Sequence, residues 1–276
     1  MKNPGRRVTG QGIGNRGTVI GGPVRREGTG ATQKVIGMRL IAKTALALTM
    51  LALAVPVAAA TAAKVQRSNF RNGTPGGEAR EFSALVGYWH IDQDGGRRVY
   101  AVDGRTREQG LLAAGVQQKA KALYGEKSSE FLKNLEAYRY FPLAVDNEIK
   151  AFRNGSVEVS FKGVGGRIDQ AAGIAFNIRP NGEYLVLRAN ALENNLVLFS
   201  MEQGKRSSVQ WARNVVTPST HWHSLKLVIN GKTIEGYLNN RKYLEYTWKE
   251  NIDGRIGLWS KADSYVFFDN LMVESR

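Results

Sequence analysis

The chain has 276 residues, 39 Lys and Arg against 24 Asp and Glu, 31 Gly and no Cys, and 42% of it is hydrophobic. That apolar content is too high for a wholly disordered chain and enough for one large domain or two small ones. The missing cysteine excludes a disulfide framework, a thiolate zinc site and a cysteine nucleophile. The formal charge of +15 points to an anionic partner only until the charge is located.

Residues 1–37 hold ten Gly, seven Lys or Arg and one acidic residue, Glu27. With no apolar period they read as a disordered basic leader, or as a stretch upstream of a true start at Met38. Residues 38–63 run in the order positive (Met38 to Lys43), apolar (Thr44 to Val57) and small (Ala58-Ala59-Ala60). That order is a secretory signal peptide, and its apolar run of about 14 residues is short of the roughly 20 that span a bilayer. Cleavage near Ala60 or Ala63 leaves Lys64–Arg276, in which 30 basic and 23 acidic residues are interspersed. No basic block survives there, so nucleic acid is not an expected partner, and no stable membrane span remains. The expected location is secreted or periplasmic.

Residues 64–81, with Asn72-Gly73-Thr74-Pro75-Gly76-Gly77, read as a linker or ordered loop, and 82–276 as the folded domain. Phe82 to Ile91 and Arg98 to Val102, joined by Asp92-Gln93-Asp94-Gly95-Gly96, predict a hairpin. Within 107–138 the period changes. Leu111, Leu112, Val116, Ala120 and Leu123, then Phe131, Leu132, Leu135 and Tyr138, predict two helices near 107–123 and 129–138, the second capped by Ser128-Ser129-Glu130. From Ile149 onward the period is two, with turns at Asn181-Gly182, Gln203-Gly204-Lys205, Asn230-Gly231, Asn239-Asn240 and Asp253-Gly254. The two Asn-Gly pairs suit type I′ turns. The pattern describes a mainly β fold, an antiparallel sandwich or barrel, with a small helical insertion at 107–138.

The catalytic inventory is thin: no nucleophile elbow, phosphate loop or zinc helix motif is present. His221 and His223 share a strand face and would bind a metal only with a third ligand. Since Leu225, Leu227 and Ile229 extend that face, His223 reads as a core-edge residue held by a hydrogen bond. Trp89, Trp211, Trp222 and Trp248 read as core or half-buried packing. Two segments carry more chemistry. Beside Asp169-Gln170, the strand from Tyr184 places Leu185, Leu187 and Ala189 on one face, and Tyr184, Val186, Arg188 and Asn190 on the other. An aromatic ring with a fork donor and an amide suits a sugar, which presents apolar ring faces and hydroxyl edges. The alternative is an ion pair of Arg188 with Glu193 or Asp169 that only supports the fold. Trp259, Lys261 and Asp263 repeat the combination of ring, cation and carboxylate.

The segments Gly166 to Phe176, Tyr184 to Asn195, Trp222-His223-Ser224-Leu225, Gly254 to Ser264 and Phe268-Asp269-Asn270-Leu271 resemble the 3-keto-disaccharide hydrolase-type domain of the concanavalin A-like lectin/glucanase superfamily. The resemblance covers 149–273 well and 82–105 loosely; the helical block is additional to it. It implies a concanavalin A-like jelly roll that binds or processes carbohydrate on a concave sheet face. Gln170, Tyr184, Arg188, Asn190, Trp259, Lys261 and Asp263 would contact the substrate, and Glu193 or Asp169 would act as acid/base. A keto group beside the glycosidic linkage permits elimination, so one base could suffice. The Glu-x-Asp-x-x-Glu triplet of laminarinase-like relatives is missing. Related sandwiches hold calcium in Asp-rich loops, but no calcium-loop signature stands here and no cofactor is expected. The other reading is a non-catalytic interaction domain of the cell envelope.

Overall fold

A computed structural model describes residues 63–105 and 111–276. The expected leader at 1–37 and the signal peptide at 38–63, apart from Ala63, lie outside the described residues. The elements in chain order are β1 (Lys64–Ser68), β2 (Phe82–Val86), β3 (Trp89–Asp94), β4 (Arg97–Asp103), α1 (Val116–Tyr124), α2 (Ser128–Leu135), β5 (Leu143–Asp146), β6 (Gly155–Gly165), β7 (Ala171–Ile178) and β8 (Tyr184–Asn190). They continue with β9 (Asn195–Glu202), β10 (Lys205–Arg213), β11 (His223–Asn230), β12 (Thr233–Leu238), β13 (Arg241–Thr247), β14 (Arg255–Ser260) and β15 (Tyr265–Ser275).

Two antiparallel sheets form a jelly-roll sandwich. One runs β13-β12-β11-β6-β15-β4-β3, with β1 also paired to β15; the other runs β10-β9-β8-β7-β14-β5-β2. Between them lie Val157, Val159 and Phe161 of β6, Leu225 and Leu227 of β11, Ile174 and Phe176 of β7, and Leu185, Leu187 and Ala189 of β8. The period-two reading is thus correct for which face of β8 is core.

Four expectations change. Lys64–Ser68 is not linker: it pairs in register with β15 from Lys64 opposite Ser275 to Ser68 opposite Leu271, and Phe70 and Ala79 enter the core. The stretch 82–91 is two strands in different sheets, β2 beside β5 and β3 beside β4. Gly87 lies between them at φ 83°, and a Cβ there would sit 2.8 Å from Pro142. The hairpin therefore joins β3 to β4 alone. The type I′ signature, positive φ at both central residues, falls at Gly95-Gly96, Gln203-Gly204 and Asn239-Asn240 and not at the Asn-Gly pairs, where only Gly182 and Gly231 are positive. In the first of those pairs the Gly182 N–H donates to the Arg179 carbonyl, so Gly182 closes a longer turn. Of the helix expected near 107–123, residues 107–110 lie outside the described residues and Leu111 and Leu112 precede α1, which begins at Val116; 3₁₀ turns at Gly125–Lys127 and Glu136–Tyr138 follow the two helices. No side chain caps α2, because it continues directly from the turn before it.

The helical block covers the outer face of the seven-stranded sheet. Ala120, Leu123, Phe131, Leu135 and Tyr138 pack with Tyr184, Val186, Met201 and Trp259 in a second apolar layer. Among the described residues no helix is long and apolar enough to cross a membrane.

Candidate functional site

The helices leave one end of that outer face to polar groups. Strand register builds it. Trp259, Gly173, Arg188, Val197 and Trp211 stand in one row across β14, β7, β8, β9 and β10. The next row holds Ala171, Asn190, Asn195 and Arg213. Gly173 matters because a Cβ there would meet Val186 at 3.0 Å and Trp259 at 3.1 Å; its absence lets the indole lie flat between neighbours.

Arg188 is 1% exposed. Its Nη1 donates to Glu193 Oε2 at 2.9 Å and to Asn195 Oδ1 at 2.7 Å, and Asn195 Nδ2 donates to the same Glu193 oxygen at 2.9 Å. Asp169 is fully buried and accepts from Asn190 Nδ2 at 2.7 Å and from Lys261 Nζ at 3.0 Å. Lys261 also lies 3.8 Å from Glu193 Oε1, so one ammonium bridges both carboxylates. Burial pushes the Glu193 carboxyl up, but the Asn195 hydrogen bond and the charges of Arg188 and Lys261 outweigh it and hold it below the usual carboxylate range. Desolvation lowers the Arg188 guanidinium despite Glu193 and Asp169 beside it. Buried charges of this kind are tolerated only when paired, so the ion pair expected as the alternative does exist. It also leaves Glu193, with its side chain 34% exposed, at the surface.

The two carboxylates, Arg188, Asn190 and Lys261 are brought together; the other expected contacts are not. Tyr184 and Trp259 offer no open ring. Tyr184 packs edge-on to Tyr138, and Trp259 is fully buried and stacked on Phe141 at 5.5 Å. The helical block covers the face on which both stand. Asp263 is spent on the fold: its carboxylate accepts the backbone N–H of Arg167, Ile168 and Asp169. Gln170 is buried, with Nε2 donating to the Gly166 carbonyl. Asn190 holds the loop, its Oδ1 accepting from the Gln170 and Leu192 N–H groups.

Three residues not singled out complete the patch. Trp211, expected to be packed, is 42% exposed and meets Phe199 edge-on. Arg206 lies over Phe141 at 4.9 Å and Phe199 at 4.8 Å, and Arg213 over Trp211 at 5.3 Å. Strict alternation would put Arg206 and Trp211 on opposite faces. The irregularity between Ser208 and Gln210 brings both to the face of Met201 and Val197. The i,i+2 spacing of Trp211 and Arg213 was the one signal available in the sequence.

His223 is buried, with Nε2 donating to the Pro218 carbonyl at 2.9 Å and Nδ1 accepting from Asn239 at 3.1 Å. Both ring nitrogens are thus used, as a core-edge histidine requires. Among the described residues no group of three His, Asp or Glu is arranged to hold a metal.

No protein-family model matches the chain, and no curated protein matches it in sequence. Solved structures resemble its fold. A carbohydrate-binding module of family 66 from Bacillus subtilis is 13% identical, spans 70% of this chain and 95% of its own, and has a TM-score of 0.50. A Bacillus subtilis protein of unknown function with a galectin-like fold is 12% identical over 78% of this chain and 98% of its own, at a TM-score of 0.48. A Bacteroides ovatus mixed-linkage glucan GH16 protein in complex with a product is 8% identical over 75% and 99%, also at 0.48. At such identities the likeness is one of architecture: the described chain is a jelly-roll β-sandwich like that of the carbohydrate-binding module.

Proposed function

We propose that this domain binds carbohydrate on the outer face of the seven-stranded sheet, at the patch of Glu193, Lys261, Arg206 and Trp211. The observation that carries the reading is an exposed indole beside polar groups whose geometry is fixed from below. Arg188 and Asn195 occupy Glu193 Oε2, and Asp169 anchors Lys261, so Glu193 Oε1 and the Lys261 ammonium are held 3.8 Å apart, both partly exposed. A sugar needs a flat apolar platform and rigid donor and acceptor groups at its edge. The fold likeness to a carbohydrate-binding module agrees with it. The test is isothermal titration of the chain against a panel of oligosaccharides. Binding that falls on Trp211→Ala and on Glu193→Gln supports it; no binding to any glycan rejects it in favour of an interaction domain whose aromatics only pack.

A processing version of the same site is favoured by one observation: the Glu193 carboxylate reaches the surface, and both hydrogen bonds that hold it fall on Oε2 and leave Oε1 without one. Such a carboxylate can act as a base. On a 3-keto-glycoside it would take the proton from the carbon between the keto group and the glycosidic carbon. The electron pair left behind forms a carbon–carbon double bond as the glycosidic oxygen departs. Turnover of 3-keto-glycosides that is lost with Glu193→Gln supports this version; binding without turnover removes it. Export is proposed with either version, on the positive, apolar, small order of residues 38–63; the mass of the chain after expression with its leader tests it.

A further inference from the structure

The same patch carries more positive charge than its own carboxylates offset. Arg188, Lys261, Arg206 and Arg213 share one face with only Asp169 and Glu193. Neither Arg206 nor Arg213 has a carboxylate within ion-pair distance among the described residues, and what sets them apart is that they stand on the face of Arg188. Aromatic rings, which satisfy a cation only in part, lie beneath both. Arg188 is almost wholly buried, yet both of its hydrogen bonds leave from Nη1 and its Nε has no acceptor. A buried guanidinium with an unused donor next to two unpaired ones is a site short of an anion. A neutral sugar would leave that excess in place.

We propose that the glycan recognised here carries carboxylates, as in a polysaccharide rich in uronic acid. The planar forks of Arg206 and Arg213 suit a carboxylate, and Trp211 between them takes the apolar face of the same sugar ring. This rests on the carbohydrate reading and narrows it to a ligand class.

The experiment titrates the full chain with a uronic-acid hexasaccharide and with its carboxyl-reduced counterpart, identical in linkage but neutral, at low and at moderate salt. The uronate is expected to bind about tenfold more tightly and to weaken as salt rises, the reduced sugar to be indifferent to salt. Arg206→Gln and Arg213→Gln should each remove most of that preference. Lys64→Gln, an equal charge change on β1 of the other sheet, should leave it unchanged, and melting curves report whether each variant folds. Equal affinity for the two sugars, or an equal loss with Lys64→Gln, overturns the acidic-glycan inference while the carbohydrate reading stands. Binding of neither sugar, and of no other glycan in the panel, overturns the reading itself.

Discussion

The two sheets of this sandwich treat their outer faces differently. At the β12-β11-β6 end of the eight-stranded sheet burial alternates: β11 and β12 bury every second residue, and Glu158, Lys226 and Glu235 stand outside. In the seven-stranded sheet β7, β8 and β14 are buried at every position. That end of the first sheet meets water, and its outer charges are ordinary solvated ones; on β4 and β15 of the same sheet Val99, Ala101 and Phe267 are covered by Trp222 and Tyr265, and Asp269 is buried. The second is covered by helices over most of its breadth, so Arg188, Asp169 and Asn190 stand where an apolar side chain would cost less. Polar groups held at such a cost are informative, and the exposed charges of the other sheet are not.

Substitutions can break that contrast, and urea denaturation measures each. Trp259→Ala should cost the most, about 4 kcal/mol, since it empties a fully buried indole site between sheet and helices. Arg188→Ala follows at about 3 kcal/mol because it strands Glu193 and Asn195. The loss should shrink when Glu193→Gln is added; an additive double mutant would mean that the ion pair is not the cause. Gly173→Ala should cost about 2 kcal/mol by pressing a methyl group against Val186 and Trp259.

Asp263→Asn should cost about 1 kcal/mol at pH 7, discounted for a carboxylate near solvent. Burial raises this carboxyl, but three backbone N–H groups outweigh it and hold it below its ordinary value. Its stabilisation is therefore present above the unfolded value of about 3.9 and lost as pH falls through the lower folded value. The penalty should vanish in acid, and a pH-independent one would place the effect elsewhere. Smallest of all, Lys226→Ala on the outer face of the eight-stranded sheet, with its ion partner Glu158 3.6 Å away, should stay within about 0.5 kcal/mol. A large loss there would erase the distinction between the sheets.

Period two in β6, β11 and β12 is legible in sequence because one face meets water and the other does not. The same rule assigns Leu185, Leu187 and Ala189 to the core correctly. It fails for the opposite face of β8, where Tyr184 and Arg188 suggest openness and lie buried. Nothing in residues 184–190 reports that Phe131, Leu135 and Tyr138, about fifty residues earlier, fold back over them. Strand faces and residue chemistry drew attention to Arg188, Glu193 and Lys261, but Arg206 and Trp211 were out of reach because a one-residue irregularity in β10 moves them to a common face.

Residue order by itself determined a mainly antiparallel β fold, sandwich or barrel, its inner face and the helical interruption, because alternation and turn residues act within a few positions of the chain. The three-dimensional structure alone decided which outer face is covered, which aromatic ring stays open and which charges find partners. Those depend on contacts between segments far apart in sequence, where no local pattern carries the information.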